Sequence, residues 1–194
     1  MSRIILASSS PFRKALLTRL QLTFSIVSPE IDESRLKNET PSQLVSRLAQ
    51  AKAAAVATSL ETNDAVIIAS DQVAVCDERI LGKPGNIEKA TQQLTFVSGK
   101  VVTFHTGLCV LNSANSHMQC DEVKYHVEFR DLTNEMIASY LKKEPAFNCA
   151  GSFKSEALGV ALTRRMFGDD PTALIGLPLI RVTQMLEQAS VNIL

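Results

Sequence analysis

Ala65-Val66-Ile67-Ile68-Ala69-Ser70-Asp71-Gln72, residues 65–72, is the stretch whose reading decides the fold. Its first five residues, 65–69, are an unbroken apolar run bounded by polar residues, which predicts a strand buried on both faces, and such strands belong to α/β sheets covered by helices. It delivers Ser70, Asp71 and Gln72 at its carboxyl edge, where open α/β sheets bind ligands. Working outward, residues 3–7 are a second short apolar run that passes into Ser8-Ser9-Ser10-Pro11. There a serine caps a helix and the proline suits its first turn. Residues 22–28 predict another strand ending at Pro29, and residues 30–40 a polar loop. Thr40-Pro41-Ser42-Gln43 resembles a capping box opening a long alanine-rich helix that carries Lys52 and ends near Leu60. Beyond residue 72 the pattern predicts a hairpin of residues 73–76 and 79–81, a helix over 87–97, and long strands over 101–111 and 117–129. A helix capped by Thr133 and stopped by Pro145, a glycine-bounded loop over 151–159, a strand near Val160 and a last helix after Pro178 complete the chain.

The 194 residues carry 20 Lys+Arg against 20 Asp+Glu. That balance argues against a nucleic-acid polymer as partner, because such affinity comes from many uncompensated cations neutralising phosphates. No apolar run reaches the roughly 18 residues that span a bilayer, so no membrane association is expected. The four cysteines, Cys76, Cys109, Cys120 and Cys149, are scattered without a CxxC pair, as in a reduced cytoplasmic protein. With no repeat or linker, one domain over residues 1–194 is expected, any two lobes sharing elements.

Chemistry concentrates in a few places. Arg3, Arg13, Lys14 and Arg19 precede the first acidic residue, Glu30, so the N-terminal strand-turn-helix is locally cationic. Its helix N-terminus adds unpaired N–H groups and a dipole, a seat for phosphate, with the hydroxyls of Ser8, Ser9 and Ser10 beside Arg13. No GxxxxGK[ST] pattern is present, so a P-loop is excluded. Glu33 and Asp71 are candidates for holding a hard divalent cation, which binds through one or two carboxylates plus substrate phosphates. Asp71 is also the candidate to take a proton from water. Glu30 and Asp32 read as solvated loop residues. Lys52 and Lys83 suit a phosphate as point charges, with a snorkelling side chain and a turn residue as the plain alternatives. His105, His117 and His126 lack metal spacing and read as strand-face residues. Gly151-Ser152-Phe153-Lys154-Ser155-Glu156 offers an aromatic and an acid to a nucleobase, or is simply a structural loop.

Taken in order, Ser8-Ser9-Ser10-Pro11-Phe12-Arg13, Ile31-Asp32-Glu33, Ala51-Lys52-Ala53, Ser70-Asp71-Gln72 and Gly82-Lys83-Pro84 resemble the Maf family of nucleoside triphosphate pyrophosphatases over essentially the whole chain. The resemblance implies an inosine-triphosphatase-like α/β fold, with a long curved mixed sheet, flanking helices and two lobes around a central cleft. It also implies a divalent metal (Mg, Mn or Co), a homodimer and cleavage between the α- and β-phosphates. Asp71 would be the proton acceptor, with Glu33 and Asp71 on the metal. Lys52, Lys83 and Arg13 would meet the diphosphate, held by the turn that contains Ser8 and Ser10. Phe12, Gln72 and Glu156 depart from the commonest family pattern and resemble the branch acting on 7-methyl-GTP, where tryptophan usually stands at the position of Phe12. An aromatic face there suits the positive charge that N7-methylation leaves on guanine. The alternatives are the same chemistry on UTP, dTTP or another modified nucleotide, and a non-catalytic nucleotide-binding regulator of septum formation.

Overall fold

Residues Ala65–Cys76 form a single strand, β3, at the heart of the computed structural model, which describes residues 3–61 and 64–194. Strands β1 (Arg3–Ala7), β2 (Phe24–Val27), β4 (Arg79–Leu81), β5 (Val101–Asn112), β6 (His117–Phe129) and β7 (Thr163–Gly168) complete one sheet among the described residues. Its order is β2-β1-β3-β5-β6-β7, with β4 on β3. β1 runs parallel to β2 and β3, while the pairs beyond β3 are antiparallel, so the sheet is mixed.

The apolar run of β3 is explained by cover on both faces. Val66 and Ile68 pack with Leu16 and Leu17 of helix α1 (Pro11–Thr18) and with Val182, Met185 and Leu186 of α5 (Leu179–Gln188). Ala65, Ile67 and Ala69 face the other way, onto Ala49, Ala53 and Val56 of α2 (Pro41–Ser59). Each fully buried isoleucine contributes roughly 1.5–3 kcal/mol relative to an exposed one. A second core lies farther along the sheet, where α3 (Ile87–Val97) and α4 (Asn134–Lys143) cover Phe104 of β5 and Val127 and Phe129 of β6. The cleft between the two cores is crossed by β3.

Three boundaries differ from the sequence expectation. The strand expected to stop at Ala69 continues through Ser70 and Asp71, because their side chains find partners inside the protein. The single proton of Ser70 Oγ is shared between Gly107 O at 2.8 Å and Gly176 O at 2.9 Å, and Asp71 meets Lys52. Asp71 still clears the carboxyl end of β1, whose last pair with β3 is Ala7 with Ala69. The strand expected over 22–28 is confined to Phe24–Val27. Val160 lies in a 3-10 turn, Leu158–Leu162, that Leu162 anchors while Val160 stays exposed, and the edge strand begins only at Thr163.

α2 positions the site and is held at both of its near contacts. Thr40 and Gln43 form the expected capping box, and Gly107 of β5 lets the helix lie against the sheet. A Cβ at Gly107 would stand 2.3 Å from the carbonyl oxygen of Val45. Gly107→Ala therefore displaces α2, and we expect a loss of about 1–3 kcal/mol in urea unfolding with an unchanged m-value.

Ahead of the helix, Arg47 grips Glu39 through Nε (2.6 Å) and Nη2 (2.9 Å). These bonds, with one from the Leu36 N–H, hold the Glu39 carboxyl at about 2 against an ordinary 4.5. A carboxyl lowered by folding stabilises the protein fully above its unfolded value, and that contribution disappears as the pH falls through the folded value. Thermal melts should show the difference between wild type and Glu39→Gln shrinking as pH drops from about 4.5 to about 2. A constant difference across that window would contradict the assignment.

Candidate active site

The first turn of α1 is built by its own serines. Ser10 has extended backbone and its Oγ accepts from Arg13 N, while Ser8 Oγ accepts from Ser10 N (3.1 Å) and Arg13 Nη1 (3.5 Å). Pro11 occupies the first helical position, where no N–H is needed. Arg13 Nε donates to Gly176 O at 2.9 Å, which fixes the guanidinium in the wall of a cleft of about 660 Å³. Burial pushes the Arg13 pKa down, and the negative charges of Asp71 and Glu33 push it back up.

At the floor of the cleft, Lys52 Nζ sits between two carboxylates, 2.6 Å from Asp71 Oδ1 and 2.7 Å from Glu33 Oε1. Lys52 and Asp71 are both buried, so the snorkelling alternative is set aside. Helical register puts Lys52 on the face of α2 that meets β3, and Gly107 lets it come close. The Lys52 hydrogen bond holds the Glu33 carboxyl below its usual range, with Lys83 and Arg13 adding to the effect. Lys83 lines the same cleft on a loop tied down at Gly82, whose carbonyl accepts from Gln93 Nε2 (3.0 Å) and Gly151 N (3.3 Å). Asp32 turns away and accepts from Ser34 N, the loop role expected of it.

No group of three or more His, Cys, Asp and Glu among the described residues could hold a metal ion. Two carboxylates on one ammonium do fit a hard cation that arrives with phosphate and water as its other ligands. The donor set suits a metal–nucleotide complex rather than a resident metal cage.

The lining of the cleft is also aromatic and acidic. Phe12, Phe104, Phe153, Gln72 and Glu156 line it. The Lys154 ammonium stands 6.0 Å from the centre of the Phe12 ring and 2.9 Å from Glu144 Oε1. All ten candidate residues, Ser8, Ser10, Phe12, Arg13, Glu33, Lys52, Asp71, Gln72, Lys83 and Glu156, therefore line one cleft. The histidines do not. His105 Nδ1 pairs with Glu122 at 2.5 Å, His126 bonds Thr103 and stacks on Phe167, and His117 begins β6 at the surface.

Sequence reasoning named Ser70 without a role and missed Thr106 and the turn Ala173–Ile175 with Gly176, whose carbonyls receive the side chains of Arg13, Ser70, Gln72 and Thr106. Asp170-Pro171-Thr172 and Gly176 are turn residues and mark the bend, but nothing in their types announces that its carbonyls serve a site far away in sequence.

Residues 3–189 match the family described as Maf-like protein. The 7-methyl-GTP pyrophosphatase of Methylobacillus flagellatus is 52% identical over 194 residues, covering 100% of both chains. That of Idiomarina loihiensis is 50% identical over 189 residues, covering 97% of this chain and 96% of its own. That of Colwellia psychrerythraea is 50% identical over 194 residues, covering 100% of this chain and 96% of its own. With a mixed sheet, a serine-capped cationic turn and a lysine-bridged carboxylate pair in one cleft, and with the match running almost end to end, the chain belongs to the Maf family.

Proposed function

We propose that the protein hydrolyses 7-methyl-GTP to 7-methyl-GMP and diphosphate. The observation that carries the reading is the mixed lining of one cleft. Lys52, Lys83, Arg13 and the N-terminus of α1 suit a triphosphate, and the Phe12 ring and the Glu156 carboxylate suit a cationic base. The names of the relatives support the same substrate.

Asp71 takes the proton from the attacking water, its carboxylate held in place by Lys52. Arg13, Lys52 and Lys83 offset the charge that develops on the departing diphosphate, and the N-terminus of α1 adds serine hydroxyls and the positive end of the helix dipole. Positioning and charge stabilisation do most of the work in such a transfer, so no nucleophilic side chain is needed. Glu33 and Asp71 would hold Mg, Mn or Co, which when bound neutralises phosphate charge.

Glu156 lines the cleft, and the Lys154 ammonium beside it is already paired with Glu144, which leaves the cleft an excess of negative charge. That excess suits a base made positive by methylation, and the Phe12 face attracts the same charge. We also propose a homodimer, on the family resemblance, and work in the cytoplasm, on the scattered cysteines. Among the described residues no helix is long and apolar enough to cross a membrane.

The test is diphosphate release across a panel of 7-methyl-GTP, GTP, UTP and dTTP. We expect 7-methyl-GTP to lead in kcat/KM, and Phe12→Ala to lower its advantage over GTP by about 10- to 30-fold, the equivalent of a desolvated cation–π contact near 2 kcal/mol. A lead for UTP or dTTP would move the same chemistry to a pyrimidine. Tight nucleotide binding without turnover would favour the regulator of septum formation.

A further inference from the structure

Two side chains that line the cleft, Arg13 and Gln72, and two buried beside it, Ser70 and Thr106, converge on the turn Ala173–Ile175 and on Gly176 after it. Gln72 Nε2 donates to Ala173 O (2.7 Å) and Leu174 O (3.1 Å) and lies 3.0 Å from Thr106 Oγ1, which itself donates to Ala173 O at 2.9 Å. The turn is pinned in turn to the start of α5, where Asp170 accepts from Thr172 N, Thr172 Oγ1 and Ile180 N. Thr106 is fully buried.

A carbonyl only accepts, and a hydroxyl that has given its one proton to Ala173 can only accept from Gln72. Two carbonyls, with the Thr106 oxygen beside them, therefore decide which way the Gln72 amide points. Its NH2 goes into the turn, and reversal would set Oε1 against the oxygens of Ala173 and Leu174. Oε1 accepts from no group among the described residues, and it is absent from the buried atoms that lack a partner, so it opens to the cleft.

We propose that Thr106 is a positioning residue for base selection, holding Gln72 acceptor-outward so that Gln72 Oε1 and the Glu156 carboxylate select a base edge with two adjacent donors. Guanine has such an edge in its N1–H and 2-amino group. Uracil and thymine offer one N–H between two carbonyls, which would leave an acceptor facing an acceptor. This rests on the guanine-nucleotide reading above.

The test is steady-state kinetics of wild type, Thr106→Val and Thr106→Ser on 7-methyl-GTP and on 7-methyl-ITP, which lacks only the 2-amino group. Thr106→Val should raise KM for 7-methyl-GTP about 10-fold with kcat within about two-fold, and shrink the preference over 7-methyl-ITP, because one aimed hydrogen bond is worth about that much. Thr106→Ser should restore both, and Thr106→Ala carries the same expectation as valine if the latter is not accommodated. Unchanged KM and preference in both the valine and alanine variants would overturn the proposal while leaving the substrate reading intact. A wild type that prefers UTP or dTTP would overturn the reading and the proposal together.

A second site stands apart from the nucleotide. Cys109 of β5 and Cys120 of β6 are direct partners in the antiparallel ladder, with their Sγ atoms 3.4 Å apart. Directly opposed residues of such a pair have Cα atoms about 4.5 or 5.5 Å apart, and both values lie in the range a disulfide needs. Cys109 is buried against Ala49 and Ala53 of α2, while Cys120 is exposed beside Asp121 and Glu122. Their mutual hydrogen bond pushes the Cys109 thiol up and pulls the Cys120 thiol down, which favours Cys120 as the attacking thiolate.

The geometry points to a peroxide-reactive dithiol, with Cys120 attacking and Cys109 resolving. Cys120 displaces water from hydrogen peroxide and becomes a sulfenic acid. Cys109 then attacks that sulfur, the S–S bond forms, and the hydroxyl leaves as a second water, so two thiols are oxidised by one peroxide. Intact-mass analysis after brief peroxide treatment should show loss of two hydrogens, reversed by dithiothreitol, with a proteolytic fragment joining residues 109 and 120, and neither change in Cys120→Ser. Oxygen added at Cys120 without the link, or no change in mass, would overturn it.

Discussion

Asp71→Asn should lower diphosphate release from 7-methyl-GTP by about 10³-fold or more while leaving the protein folded. A positioned general base contributes about 10²–10⁴-fold by itself, and the amide can neither take the proton nor offer a charged ligand to the metal. The substitution is nearly isosteric, and the asparagine oxygen can still accept from Lys52, which also keeps its contact with Glu33 at 2.7 Å. Thermal stability should therefore stay near wild type, and the variant should bind 7-methyl-GTP within a few-fold of the wild-type affinity. Equal loss of binding and turnover would instead assign Asp71 to ground-state binding.

Lys52→Met should cost both stability and activity. Asp71 is only 8% exposed, and its one side-chain hydrogen-bond partner among the described residues is the Lys52 ammonium at 2.6 Å. Removing one member of a buried pair leaves an uncompensated charge, which destabilises by about 3–5 kcal/mol. Activity should fall at least about 10²-fold, since the lysine is also a cation for the leaving diphosphate and holds the carboxylate of Asp71 in place. Combining Lys52→Met with Asp71→Asn should recover most of the lost stability in urea unfolding and none of the activity, because the unpaired charge is gone but the chemistry is not restored. Lys52→Arg tests the geometry, since a planar fork is a poor substitute for a compact ammonium between two carboxylates. A double variant no more stable than Lys52→Met would show that Lys52 acts through packing alone.

Much of this architecture was legible in residue order. The apolar run of residues 65–69 predicted a covered strand, and Thr40-Pro41-Ser42-Gln43 predicted the start of α2. Local chemistry fixes such features, so they survive folding unchanged. What could not be read depends on distant partners. Ser70 and Asp71 look like a strand end until Gly107, Gly176 and Lys52 supply their bonds, and those lie 37, 106 and 19 residues away. Lys52 reads equally well as a snorkelling side chain until Gly107 brings α2 down onto the sheet. Thr106, one alternating residue of a long strand, shows its place only once the turn at Ala173 is folded against it. Charged candidates were found because charge is rare at apolar positions, whereas neutral positioning groups carry no such mark.

Product balance tests the central claim most directly. Incubation with 7-methyl-GTP and Mg²⁺ or Mn²⁺, followed by quantitative ion-exchange chromatography, should yield one 7-methyl-GMP and one diphosphate per substrate consumed, with no 7-methyl-GDP. Release of orthophosphate with 7-methyl-GDP, or recovery of intact 7-methyl-GTP bound to the protein, would contradict it.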